Sequence, residues 1–302
     1  MDPSEVAQNA IDALARGSFF ALIALGVALL FGIMNLVNFA YGEVIMAGGY
    51  AMLIFTQWFF DAAVWPLLII WTIFIALVFS LAQERLAFRP VRRAAPTTML
   101  VTSFAVSVLL ANIAIAVWGG LTVPIDIGGV TLEQFQLGDV RIRKLDLITL
   151  GSAAFLLLAL TVFLKKTPMG IQMRAASENF LMSRLLGVPA NRVIATAFFI
   201  AGILAGTVAL VAVGNQGGTS PGMGLFPLIF GLVATVIGGM ASLVGAVVGG
   251  FVLGGLTVGL EQGLATYDLE RFRDAFVFLA VIVVLVFRPQ GLIAGRAVRE
   301  RV

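Results

Sequence analysis

Residues Lys165 to Arg192 read KKTPMGIQMRAASENFLMSRLLGVPANR. The stretch lies between two long apolar segments and carries five Lys/Arg (Lys165, Lys166, Arg174, Arg184, Arg192) against one acid, Glu178. Where the flanking segments cross a bilayer, such an excess of positive charge marks a cytoplasmic loop. Within it, Ala175 to Leu186 has no Gly or Pro, sets Leu181 and Leu185 four apart, and is closed by Gly187 and Pro189. That pattern predicts one short amphipathic helix held outside the membrane, available for docking to a partner.

Composition agrees with a chain built around a membrane. Of 302 residues, 60% are apolar and 12% charged, with a mean hydropathy of +1.05, whereas soluble domains carry about 25% charged residues. A spanning helix with its loop takes roughly 30 to 35 residues, so eight or nine crossings are expected in one all-α membrane domain, 1–302. The apolar segments read as 18–36, 44–60, 62–83, 98–118, 145–164, 193–213, 225–240, 242–262 and 274–288. Three of them (44–60, 225–240 and 274–288) are short for a hydrocarbon core that takes about 20 helical residues, so some spans are expected to be short or broken.

Charge sets the expected orientation. With the N-terminus outside, the inside loops 84–97, 165–192 and 288–302 hold 13 of the 19 Lys/Arg, which favours N-out and C-in. The start of the chain, with Asp2, Glu5 and Asp12 before Arg16, lacks a signal peptide's basic region and is expected to be retained. Val6, Ala10 and Leu14, with Ile11 beside them, form an apolar stripe that fits a surface helix over 1–17. The 119–144 segment, with short β-branched alternations separated by Gly-Gly, predicts a small extracytoplasmic hairpin, either a lip for a soluble partner or a plain connection.

The absence of Cys and His removes thiolate chemistry, Ser-His triads, HExxH zinc sites and His-held haem, so no metal site is expected. No Gly-Lys pair occurs, hence no GxxxxGK[ST] phosphate loop, and the modest charge of +3, confined to loops, does not suggest nucleic acid. A membrane enzyme has little support, because no second catalytic group accompanies the acid at Glu43.

Two polar breaks stand out. Asn35, Asn38, Tyr41, Gly42 and Glu43 interrupt an apolar run, and a carboxylate near the hydrocarbon centre costs about 2.5 to 3.5 kcal/mol. Glu43 must therefore face protein, water or a partner charge. The second break, Gly214 to Gly224, includes Ser220 and Gly222. One Gly-rich break in each half, each followed by a short helix, is the pattern of a transport pathway built from discontinuous helices. The alternatives are, for the first break, a structural Glu satisfying helix ends or a residue at the cytoplasmic mouth, and, for the second, an external turn. Asn112 is a further polar candidate in the fourth span, or else it bonds a neighbouring helix. Of 33 glycines, 17 fall between Gly202 and Gly263. Gly245/Gly249 and Gly250/Gly254 repeat a small-xxx-small spacing, as do Gly255/Gly259/Gly263, and close helix packing is expected, within the bundle or between subunits.

NFAYGE (Asn38 to Glu43), RAASENFLMSRLLGV (Arg174 to Val188), SPGMG (Ser220 to Gly224), GGMASLVGAVVGG (Gly238 to Gly250) and RPQGL (Arg288 to Leu292) occur in this order. Together they resemble the permease subunits of branched-chain amino acid ABC importers of the LivH type. The resemblance implies a bacterial cytoplasmic-membrane subunit paired with a LivM-type permease, two cytosolic ATPases that bind ATP and Mg, and an extracytoplasmic substrate-binding protein. It implies that Arg174, Ala175, Ala176, Glu178, Asn179, Arg184 and Gly187 belong to the loop coupled to the ATPase. One departure is Tyr41, where many members carry His. Such permeases also handle urea, short amides and small organic acids, and the residues do not choose among these solutes. A different class, an ion-coupled secondary transporter or channel using Glu43, remains open on the residues alone.

Overall fold

The computed structural model describes residues 3–34, 36–58, 65–92, 94–125, 134–137, 140–240, 242–265, 269–288 and 290–293. Twelve helices follow in chain order among these residues: α1 (Pro3–Met34), α2 (Tyr41–Trp58), α3 (Trp65–Gln83), α4 (Arg89–Val91), α5 (Pro96–Trp118), α6 (Lys144–Lys166), α7 (Pro168–Glu178), α8 (Phe180–Leu185), α9 (Ala190–Gln216), α10 (Leu225–Gly238), α11 (Leu243–Ala265) and α12 (Arg273–Phe287). Four short strands accompany them: β1 (Val123–Pro124), β2 (Gln134–Leu137), β3 (Val140–Arg143) and β4 (Gly218–Thr219).

Among the described residues, six helices are long and apolar enough to cross a bilayer: Ser4–Met34, Trp65–Val91, Pro96–Trp118, Lys144–Lys166, Ala190–Gln216 and Leu243–Ala265. The three segments read as short are α2, α10 and α12, of 18, 14 and 15 residues. At 1.5 Å per residue α10 and α12 reach only about 21 to 23 Å, short of a hydrocarbon core of about 30 Å. Length and composition thus support six crossings among the described residues, and the expected eight or nine would need two or three of α2, α10 and α12 as well. From Pro3 on, the expected surface helix and the first span form one unbroken helix, α1, with no turn between them.

The chain divides into two compact units that alternate along the sequence: residues 1–28, 129–156 and 230–302 form one, and residues 29–128 and 157–229 the other. In the second, α2, α3 and α9 pack backbone to backbone. A Cβ added at Gly202 would lie 2.7 Å from Leu77 Cα, one at Gly206 2.8 Å from Ile73 Cα, and one at Gly48 2.7 Å from Ala209 Cβ. Ser80 Oγ bridges α3 to α9 by donating to the Phe198 carbonyl at 2.7 Å. α3 continues through a π-helical turn, Glu84–Phe88, into α4. Pro90, which has no N–H and whose ring crowds the preceding turn, accounts for the widened turn. α5 buries Ser103 and Ala114 and turns most of its apolar side chains outward, Val101, Phe104 and Leu109 among them, as a lipid-facing helix does.

In the other unit the expected glycine packing has definite partners. Gly245 and Gly249 press on α10 at Gly238 and Ala234, and Gly250 and Gly254 press on α1 at Ala21 and Gly17. An ion pair between Arg16 and Glu261, reinforced by Arg273 at 3.5 Å, ties α1, α11 and α12 together. Gly255, Gly259 and Gly263 have open space beside them. β2 and β3 form the antiparallel hairpin anticipated in 119–144, with Gln134 opposite Arg143. Gln8 of α1 clamps it, donating to the Arg141 carbonyl at 3.0 Å and accepting from Arg141 N at 2.9 Å. The RPQGL segment does more than end α12. Leu292 N donates to the Ile237 carbonyl at 2.7 Å, Ile293 N to that of Gly238 at 3.1 Å, and so the chain satisfies the free carbonyls at the end of α10.

The docking helix expected over Ala175 to Leu186 is instead two helices. α7 starts earlier, at Pro168, capped by the Thr167 hydroxyl, which accepts from Gly170 N at 3.0 Å. It stops at Asn179, whose backbone is extended (φ −150°) and whose side chain accepts from Met182 N at 3.0 Å to open α8. Asn is among the strongest N-caps, and here the cap outweighs continuation of the helix. Gly187, at φ +88°, closes α8 as anticipated, donating to the Arg184 carbonyl at 3.1 Å.

Candidate functional site

The first break begins where α1 ends at Met34; Asn35 lies outside the described residues. Residues 36–40 leave the helix, and Asn38 shapes their return. Its side-chain oxygen accepts from Ala40 N at 3.0 Å while its carbonyl accepts from Tyr41 N at 3.2 Å. α2 then starts at Tyr41, which puts Glu43 in its first turn, where unpaired N–H groups and the helix dipole favour a negative charge. Side chains from two other helices close around this start. Gln83 Nε2 of α3 donates to the Ala40 carbonyl at 3.1 Å, Ser103 Oγ of α5 accepts from Phe39 N at 3.4 Å, and Ser107 Oγ of α5 donates to Glu43 Oε1 at 2.8 Å.

The cluster so formed is buried yet under-bonded. Asn38, Tyr41, Glu43 and Gln83 are each 6% exposed or less. Asn38 Nδ2, the Tyr41 hydroxyl, Glu43 Oε2 and Gln83 Oε1 nevertheless have no hydrogen-bond partner among the described residues. Tyr50, seven residues on from Glu43 and so on the same face of α2, adds a fifth such atom, its ring stacked on Trp118 with centroids 4.3 Å apart. Each buried polar atom without a partner costs about 1–3 kcal/mol. Five such atoms on the first half of α2 and its neighbours leave hydrogen-bonding capacity that water or another polar group can take up.

The second break meets the first. α9 ends at Gly217 in the left-handed region (φ +69°), after which β4 pairs with β1, Thr219 opposite Val123. Thr219 is fully buried and its hydroxyl donates to Met223 Sδ at 2.9 Å. A Cβ added at Gly49 of α2 would lie 2.6 Å from Thr219 Oγ1, and one at Gly42 would lie 2.8 Å from the Gly224 carbonyl oxygen. The two polar interruptions, about 180 residues apart in sequence, thus touch through bare backbone, which glycine at both positions permits.

Of the residues singled out from sequence, Gly42 meets the second break at Gly224, with Asn38, Tyr41 and Glu43 beside it at the start of α2. Ser220 is half-buried and Gly222 exposed beside it. Asn112 does not join them: it sits on an exposed face of α5 and donates to its own helix at Val108 O, 2.7 Å. Ser103, Ser107, Gln83, Tyr50 and Thr219 escaped the sequence reading. The four-residue spacing of Ser103 and Ser107, which puts both hydroxyls on one face of an apolar helix, was the available signal.

In the basic loop, Met173 and Ala176 face inward, whereas Arg174, Ala175, Glu178, Asn179, Arg184 and Gly187 are exposed. Around them Leu181, Leu185 and Leu186 expose 69%, 74% and 80% of their surface, an apolar patch outside any span-length helix.

Long apolar helices interrupted by a buried polar break are the build of a polytopic membrane protein. A family profile described as "Branched-chain amino acid transport system / permease component" matches residues 9–286. The chain is 31% identical to the high-affinity branched-chain amino acid transport system permease protein BraD of Pseudomonas aeruginosa, over 98% of this chain and 97% of the relative. It is 30% identical to the permease protein LivH of the corresponding system in Salmonella typhimurium and in Escherichia coli, again over 98% and 97%. No solved structure gives a significant match. The chain therefore belongs to the family of permease components of branched-chain amino acid transport systems, and it is a multi-pass membrane protein.

Proposed function

We propose that the chain is the membrane permease subunit of an ATP-driven importer that carries branched-chain or other small neutral amino acids. In this reading it lies in the bacterial cytoplasmic membrane, N-terminus outside and C-terminus inside. It pairs with a LivM-type permease and works with two cytosolic ATPases, which bind the ATP and Mg, and with an extracytoplasmic binding protein. The relatives' names supply the solute class. The observation that carries the reading is the contact of two polar breaks at Gly42 and Gly224 beside the free Glu43 oxygen. Asn38, Tyr41, Gly42, Glu43, Ser220 and Gly222 would line the passage, with Ser107 and Gln83 added to them.

Coupling would run through the exposed side of α7 and α8. An ATPase seated on Leu181, Leu185 and Leu186 would bury apolar surface that the chain alone leaves in water, and closure of the ATPases would move the pair and switch access to the passage. The test is the complete complex in liposomes. ATP-dependent uptake of a branched-chain amino acid supports the reading. Uptake by this chain alone, driven by an ion gradient, would replace it with a secondary transporter. Uptake of urea or a short amide in preference to leucine would keep the importer and change its cargo.

A further inference from the structure

A cavity of about 800 Å³ opens where α1, α4, α5, α8 and α9 meet, at the ends of helices long enough to span a bilayer. Three guanidinium groups line it, those of Arg89, Arg92 and Arg184. Arg92 is fixed: Glu84 pairs with it, its Nη1 donates to Asn191 Oδ1 at 2.7 Å, and its buried Nε has no partner among the described residues. Arg89 and Arg184 are exposed, and among the described residues neither is ion-paired. With Glu84 neutralising Arg92, the cavity keeps an excess of two positive charges. Apart from Asn191, the remaining lining side chains are apolar, Met34, Met99 and Phe180 among them.

We propose that this cavity binds the headgroup of an anionic phospholipid, the phosphate held by Arg89 and Arg184 beside the fixed Arg92, with the upper acyl chain against Met34, Met99 and Phe180. Arginine presents paired donors to phosphate oxygens, and basic pockets between membrane helices hold anionic headgroups. The apolar wall favours a lipid over free phosphate, which has no use for it. The cavity sits at the helix ends, where headgroups lie if these helices span. The inference rests on that spanning and not on ATP coupling.

The test is native mass spectrometry of the full chain, extracted from bilayers of phosphatidylcholine and phosphatidylglycerol in equal amounts. The expected result is one retained phosphatidylglycerol, favoured over phosphatidylcholine by about 10-fold or more, as two guanidinium groups warrant. Arg89→Gln with Arg184→Gln should abolish the preference, and Arg192→Gln, which removes a charge from the same loop outside the cavity, should leave it. If the double variant melts early, the exposed Arg184→Gln alone is read instead, with a partial loss expected. Equal retention of both lipids by the wild type, an equal loss in Arg192→Gln, or release by millimolar inorganic phosphate would overturn the proposal. Loss of the bound lipid on adding the ATPase subunits would do so too, giving the cavity to a protein segment.

Discussion

Glu43 is held by one hydroxyl and one helix start. Ser107 donates to one carboxylate oxygen, and the first turn of α2 supplies a favourable field, while the second oxygen has no partner among the described residues. Glu43→Ala in the assembled complex should therefore lower solute uptake by about 10-fold or more, the loss of a charge-assisted contact of about 1.5–3 kcal/mol, with assembly unchanged on gel filtration. Uptake within a factor of two of wild type would reduce Glu43 to a helix-start residue. Gly42 makes a second, independent prediction. Its missing side chain is what lets Gly224 approach, so Gly42→Val should lower stability by about 1–3 kcal/mol, read as an earlier melting midpoint in detergent. At this scale Asn38, Gly42 and Glu43 were legible because a polar or flexible residue in an apolar run carries a cost that must have a reason. Ser107 and Gln83 were not, since a lone hydroxyl or amide on an apolar helix bonds its own backbone as readily as a neighbour's, and only packing decides.

The basic loop shows what an element-level reading misses. Absence of Gly and Pro from Ala175 to Leu186 suggested a continuous helix, yet Asn179 uses its side chain to start a second one. Asn179→Ala should remove about 1 kcal/mol of capping and speed amide exchange in Phe180–Leu185, while α7 keeps its protection. Equal slowing of exchange across both helices would mean that the break belongs to the free chain alone. The close of α8 was readable, because Gly187 sits at φ +88°, a conformation that costs other residues about 1–2 kcal/mol. The stripes at Gly245/Gly249 and Gly250/Gly254 were also readable as packing faces, but not as belonging to α10 and α1 respectively, because identical spacing says nothing of the partner. The pairing of β1 with β4 left no local trace at all, since two residues on each side carry no periodicity.

For the whole molecule, hydropathy and the order of five motifs were enough for the family, and the profile over residues 9–286 agrees. How many helices cross was harder, because α10 and α12 are apolar but short, and apolar character is shared by helices that span and helices that only pack inside. The importer reading predicts that Glu178→Lys, which reverses a charge on the exposed side of α7, abolishes substrate-stimulated ATP hydrolysis in the reconstituted complex while basal hydrolysis persists. Unchanged stimulation would remove this loop from coupling. The central claim, however, is that the two breaks meet on a passage that solute uses. The chain contains no cysteine, so a single Ser107→Cys can be probed with a small water-soluble thiol reagent in sealed vesicles carrying the complete complex. The account predicts that this position is modified during ATP turnover and protected when the transported amino acid and its binding protein are in excess. A thiol that stays unreactive in every state, or that reacts equally with and without solute, would contradict it.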